Sequence, residues 1–190
     1  MNTLMHLAIT VIFSLLFLLG NSFCLASDSK YELEFDYMTA VHYDRDIDTV
    51  SLHILKKVSE TSSQSRTFYR GVTLTRPWGD IIDHGKKKNS DSFGAGPIYM
   101  IRYQKKISEK FSGVLDISGG LILYTDKFPA GGEHYNFMWR IGPKFVYKFN
   151  ENSSMNIGYM WMHVSNGLHG SNNNPSYDSN GVSLGIDVKF

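Results

Sequence analysis

From His134 to Phe149 every second residue is apolar or aromatic: Tyr135, Phe137, Trp139, Ile141, Pro143, Phe145, Tyr147 and Phe149. The opposite row carries His134, Asn136, Arg140, Lys144 and Lys148. Side chains alternate across a strand, so such a stretch has one apolar and one charged face. The pattern recurs. Tyr31, Leu33, Phe35, Tyr37, Thr39 and Val41 alternate with Glu32, Glu34, Asp36, Met38, Ala40 and His42. Val50, Leu52 and Ile54 oppose Ser51 and His53. Phe93 to Tyr103, Phe111 to Leu123, Met155 to Trp161 and Val182 to Phe190 repeat it. The segment Thr67 to Arg76 is less regular, because Arg70 and Arg76 share a row with Phe68, Val72 and Leu74. Eight strands are expected, an even number and the smallest usual membrane barrel.

A soluble sandwich or ligand-carrying barrel also alternates. Two features weigh against it. The apolar row carries aromatics near the strand ends, as an interfacial girdle does. The other row collects Glu32, Glu34, Asp36, Arg102, Asp116, Arg140, Lys144, Lys148 and Lys189, charges of both signs that can pair inside a narrow lumen but would spoil an apolar ligand cavity. The expected fold is therefore all-β: an eight-stranded antiparallel transmembrane barrel with short periplasmic turns and longer extracellular loops. His42, His53 and His134 fall on the inward row and are expected in the lumen.

The N-terminus is different in kind. Leu7 to Gly20 reads LAITVIFSLLFLLG, too short for a comfortable spanning helix, and leads through NSFCLA into the polar SDSK. This reads as a secretory signal peptide over residues 1–26, cut after Ala26, with the barrel over 27–190. Cys24 is the only cysteine, so the mature chain can form neither a disulfide nor a thiolate metal site. No metal-ligand spacing is visible elsewhere. The formal net charge of +1 gives no reason to expect a nucleic-acid partner.

The connections ETSSQ, SEK and NENS are brief, whereas PWGDIIDHGKKKNSD, DKFPAGGE and NGLHGSNNNPSYDS are long. Short turns lie on the periplasmic side of such barrels, so both termini are expected there and the seventh strand runs outward. The lipid-facing row Met155, Ile157, Tyr159, Trp161 then continues to His163 and Ser165, near the outer leaflet. Extrapolated backward, the lipid-facing row of the last strand reaches Asn180 and Asp178. His163, Ser165 and Asp178 would thus meet on the outer wall. A Ser-His-acid set performs nucleophilic ester hydrolysis: serine attacks, histidine moves the proton, the acid orients the histidine. Asn166, through its side chain or its backbone N–H, follows directly as the oxyanion donor, helped by the flexible Gly167. His169, in the following loop, is a rival base without strand register.

His163-Val164-Ser165-Asn166-Gly167, followed by Asn174-Pro175-Ser176-Tyr177-Asp178-Ser179 and a terminal strand ending in Phe190, resembles the lipid A 3-O-deacylase (PagL-like) family. Its pattern is His-x-Ser-Asn, then Asn-Pro-Gly-x-acid or Asn. Ser176 departs from it where Gly is usual, Gly167 stands where Ala-Gly commonly follows, and the loop carries extra asparagines at Asn172 to Asn174. The resemblance implies an enzyme of the Gram-negative outer membrane that hydrolyses an acyl ester of lipid A without a cofactor. It assigns His163, Ser165 and Asp178 to catalysis, with Asn166 and Gly167 positioning the substrate. The partners it implies are lipopolysaccharide and the surrounding membrane lipids. A homodimer is compatible with the pattern, since no interface separates in sequence from the lipid-facing belt. The rival classes are a structural or adhesive barrel without activity and an esterase acting on phospholipid. The basic run Lys86 to Lys88 falls in an outer loop, as a solvated stretch or a contact for lipopolysaccharide phosphates.

Overall fold

The computed structural model describes residues 30–83, 85–167 and 175–189. The leader assigned to residues 1–26 lies outside them, as do His84, His169 and Asn172 to Asn174. Among the described residues nine strands form: β1 (Lys30–Ala40), β2 (Arg45–Glu60), β3 (Arg66–Asp83), β4 (Lys86–Asn89), β5 (Gly94–Lys106), β6 (Phe111–Phe128), β7 (Glu133–Lys148), β8 (Ser153–Ser165) and β9 (Tyr177–Lys189). Every neighbouring pair is antiparallel, and β2 pairs with both β1 and β3, so β1 to β3 and β5 to β9 close into an eight-stranded barrel. Closure leaves no unpaired edge, which a lipid environment would not tolerate. The four-residue β4 only folds back on the end of β3.

One end of the barrel holds the start of β1, the end of β9 and the tight connections 61–65, 107–110 and 149–152; the other holds 41–44, the β4 excursion, 129–132, the end of β8 and the start of β9. They are called the turn end and the loop end below. The loop end corrects an expectation. β3 runs on through Pro77-Trp78-Gly79-Asp80, and β6 through Asp126-Lys127-Phe128, stretches that the lost alternation marks as loops. Ladder hydrogen bonds continue where side-chain patterning has stopped, because beyond the apolar belt neither face is selected for hydrophobicity. The β6–β7 connection is therefore only 129–132.

Inside, the wall residues form two layers. The inward row of β1 reads Glu32, Glu34, Asp36, Met38 from the turn end upward. Glu32 accepts two 2.8 Å hydrogen bonds from Arg102, which also grips Asp116 at 2.7 Å twice. Glu34 pairs with Arg140 and Lys144, and Asp36 with Arg140 and His53. His53 is buried between Asp36 and Thr73, in the lumen as expected. These charges are wholly buried, and their mutual pairing is what permits it. Above Asp36 the lumen changes character. Met38, Ile98, Ile122, Phe128, Met138, Met160, Met162, Val164 and Tyr177 pack into an apolar plug beneath the loop end. The two layers block the lumen across its middle and loop end, and below them, at the turn end, it widens into a cavity of about 800 Å³ bordered by Tyr69, Arg102 and Asp187.

Lys144 touches Glu34 and, at 3.3 Å, Asp116. Each carboxylate also has an arginine, so Lys144→Met should lower the unfolding free energy by about 3 kcal/mol, the lower end for breaking a buried ion pair. Urea titration of the protein folded into lipid vesicles, read by tryptophan emission, measures it.

Candidate active site

The seventh barrel strand, β8, sets alternate residues outward. Met155, Ile157 and Tyr159 are exposed on that face and Trp161, His163 and Ser165 continue it. The register places Trp139 of β7 and Asp178 of β9 directly opposite His163 on either side. The strand β9 begins at Tyr177, early enough to carry Asp178 onto the outer wall. There His163 Nδ1 and Asp178 Oδ1 are 2.8 Å apart. With Nδ1–H donating to the carboxylate, Nε2 is the nitrogen left for a proton from a nucleophile.

Ser165 lies two residues further along the same row, opposite Phe137. It is 9% exposed, and no hydrogen bond joins it to His163. Residues so spaced stand ~6.6 Å apart along a strand, near enough for a rotation of the short serine side chain to reach the ring. Free enzymes often show this contact long. Asn166 is buried immediately after the strand ends, and Gly167 turns the chain with φ of 77°. That left-handed conformation suits glycine, and the Phe137 ring lies beside it, 3.4 Å from where a Cβ would stand, an ordinary contact distance. Ser176, at the position where the motif usually has glycine, has no such requirement: Gln64 is the one non-glycine residue with positive φ among those described.

Beneath the site lies an aromatic pair. Trp139 and Trp161 meet edge to face with ring centroids 4.3 Å apart, and the His163 ring sits 6.0 and 6.2 Å from them. Tryptophans on the outer wall mark the membrane–water interface, so His163 lies at the height where acyl chains give way to headgroups.

The expectation for His42 is corrected. Strand β1 ends at Ala40, so the alternation that sent residue 42 inward no longer applies. His42 sits in the 41–44 connection, half-exposed, with Nε2 3.0 Å from Asp178 Oδ2. The backbone N–H of Val41 donates to the Asp178 carbonyl at 3.0 Å as well. Both oxygens of Asp178 are thus held, one by each imidazole. Sequence reasoning missed this partner because the pairing of β1 with β9 brings residues 136 positions apart together. His134, the second residue of β7, keeps the inward parity of that strand but is exposed at the loop end, with Nδ1 3.3 Å from the Tyr124 carbonyl. The lysines of β4 are exposed, and Lys87 reaches Asp80 at 3.6 Å.

A closed antiparallel barrel with an apolar outer belt and a charge-paired interior belongs to the small outer-membrane β-barrels. The structure of the outer-membrane enzyme PagL superposes with a TM-score of 0.50 at 15% identity, covering 84% of this chain and 99% of that one. Neisserial surface protein A gives 0.55 at 13% identity, over 86% and 96%. OprG from Pseudomonas aeruginosa gives 0.54 at 13%, over 87% and 96%. At such identities these likenesses speak for the fold alone. Among curated proteins no sequence match is found. The sequence model of the lipid A 3-O-deacylase (PagL) family, however, matches residues 48–187, and the chain belongs to that family.

Proposed function

We propose that the protein is an outer-membrane serine esterase that removes the 3-O-linked acyl chain of lipid A, with Ser165 as nucleophile, His163 as base and Asp178 as the orienting acid. The observation that carries this is the His163–Asp178 contact of 2.8 Å on the outward face, two residues from Ser165 and level with the tryptophan pair. A water-soluble ester would call for a water-filled pocket. A lipid ester is reached from the bilayer, where its acyl chain lies against the apolar wall and its sugar against the headgroup layer. The orientation that follows puts the loop end outside the cell and the turn end in the periplasm, after removal of residues 1–26.

In the first half-reaction Ser165 Oγ attacks the ester carbonyl carbon and its proton passes to His163 Nε2. Asp178 holds the imidazole by Nδ1–H and stabilises it while it is charged. The carbonyl oxygen gains the negative charge and is met by the Asn166 side chain or by backbone N–H groups at Asn166 and Gly167. The C–O bond to the sugar breaks, and His163 returns the proton to the leaving hydroxyl. Water then repeats the cycle on the acyl-serine, releasing the 3-hydroxy fatty acid and restoring Ser165. No step requires a cofactor.

The test is mass spectrometry of lipid A from cells with and without the expressed protein. Loss of one 3-hydroxyacyl unit from the 3 position supports the proposal. Unchanged lipid A with newly formed lysophospholipid would make it a phospholipid esterase, and no change in either lipid would leave a barrel without activity.

A further inference from the structure

Four outward residues form one cross-strand row near the turn end: Tyr31 of β1, Lys56 of β2, Arg70 of β3 and Tyr99 of β5. Lys56 Nζ lies 5.6 Å from the centre of the Tyr31 ring, Arg70 is exposed, and Tyr99 is 66% exposed. Two like charges directly opposite on neighbouring strands repel, and cations on a lipid-facing wall are unfavourable. Among the described residues no carboxylate lies within ion-pair distance of either cation. Both penalties are relieved by one anion placed between them.

The next outward row toward the loop end is Leu33, Ile54, Val72 and Pro97, uncharged throughout. All residues of the two rows except Leu33 border a shallow depression of about 370 Å³. It has a cationic rim with tyrosines at both sides and an apolar floor rising into the membrane belt. Lys56 and Arg70 each stand four residues from their strand's turn-end terminus, Glu60 and Arg66. That is ~13 Å along a strand, or roughly 9 Å of height at a tilt of about 45°. Long cationic side chains cover such a distance by stretching toward the headgroup layer.

We infer that this depression binds the phosphate headgroup of an anionic phospholipid, with Lys56 and Arg70 on the phosphodiester and the acyl chains on Ile54, Val72 and Pro97. In the orientation proposed above, the lipid belongs to the inner leaflet, on a different face from the esterase site. The site holds a lipid of the annulus and is distinct from substrate recognition.

The test uses the protein purified from outer membranes, released from detergent by native mass spectrometry after incubation with phosphatidylglycerol or with diacylglycerol of the same chains. Wild type should retain one phosphatidylglycerol at a concentration at least tenfold below that needed by the Lys56→Gln/Arg70→Gln double variant. Arg76→Gln, which removes another outward arginine of β3, should behave as wild type. Removing charge from a lipid-facing wall does not endanger folding, and heat-dependent gel mobility verifies the barrel. Equal retention by wild type and the double variant would overturn the inference, as would equal retention of diacylglycerol, which would reduce the site to an apolar groove. Displacement by millimolar inorganic phosphate would reassign it to a soluble anion.

Discussion

Ser165→Ala is expected to lower the rate of lipid A deacylation by at least about a thousandfold while leaving the barrel intact. Loss of the nucleophile removes the covalent route entirely, and what survives is binding and oxyanion stabilisation, the residue of activity left when a triad member is deleted. Ser165 is small, lies on the outer wall and makes no hydrogen bond to His163, so removing its hydroxyl orphans no buried partner. Folding, read as heat-dependent gel mobility, should therefore match wild type. Single-turnover release of 3-hydroxy fatty acid from purified lipopolysaccharide measures the effect. Retention of more than a tenth of the wild-type rate would remove Ser165 from the mechanism. Ser165→Cys separates the roles further, since a thiol at the same place can still form an acyl-enzyme.

How far the site was legible in the chain depended on strand register. On β7 and β8 alternation runs without a break to Trp161, and two further steps carry it to His163 and Ser165. Placement on the outer wall therefore followed from parity alone. Asp178 followed because β9 keeps its parity back to Tyr177. Parity fails as soon as a strand ends. His42 stands two residues past Ala40, and reading the alternation through the turn sent it to the wrong side of the wall. Its partnership with Asp178 comes from ring closure, which joins the first strand to the last, and no local pattern encodes that. The charged half of the lumen was visible because Glu32, Arg102, Asp116, Arg140 and Lys144 are costly residues that must find partners. The apolar plug was not. Met38, Met138, Met160 and Met162 occupy the inward row, where a polar lumen was expected, and methionine carries little strand signal of its own. The same limit shortened β3 and β6, whose outer ends pair through backbone hydrogen bonds with no alternation to announce them.

The plug and the His42 contact bear on the second large effect, which concerns Asp178. The carboxylate stands on the outer wall, and among the described residues no backbone N–H donates to it. What fixes it is a pair of imidazoles, His163 at 2.8 Å on one oxygen and His42 at 3.0 Å on the other, while Val41 N–H anchors its carbonyl. Asp178→Asn keeps the shape but offers His163 an amide that cannot stabilise a charged ring, and it lets the imidazole settle in the wrong tautomer. The expected loss in kcat is about a hundredfold or more, with KM little changed because the acid does not touch the substrate. His42 acts one step further away, so it is a positioning residue. His42→Ala should lower kcat by roughly tenfold, the scale set by losing one hydrogen bond to a charged group. His42→Gln, which can still donate to Asp178 from its side-chain amide, should recover most of that. A purely structural role would predict no such rescue and no split between kcat and KM. If His42→Ala and His42→Gln are equally impaired, the histidine acts by its bulk or charge and not by holding the carboxylate. If both match wild type while Asp178→Asn is impaired, the acid needs His163 alone. Since Met160, Met162 and Val164 fill the lumen directly behind the His163 strand, the wall itself has no freedom to retract, and the orientation of Asp178 is the remaining variable that these substitutions read.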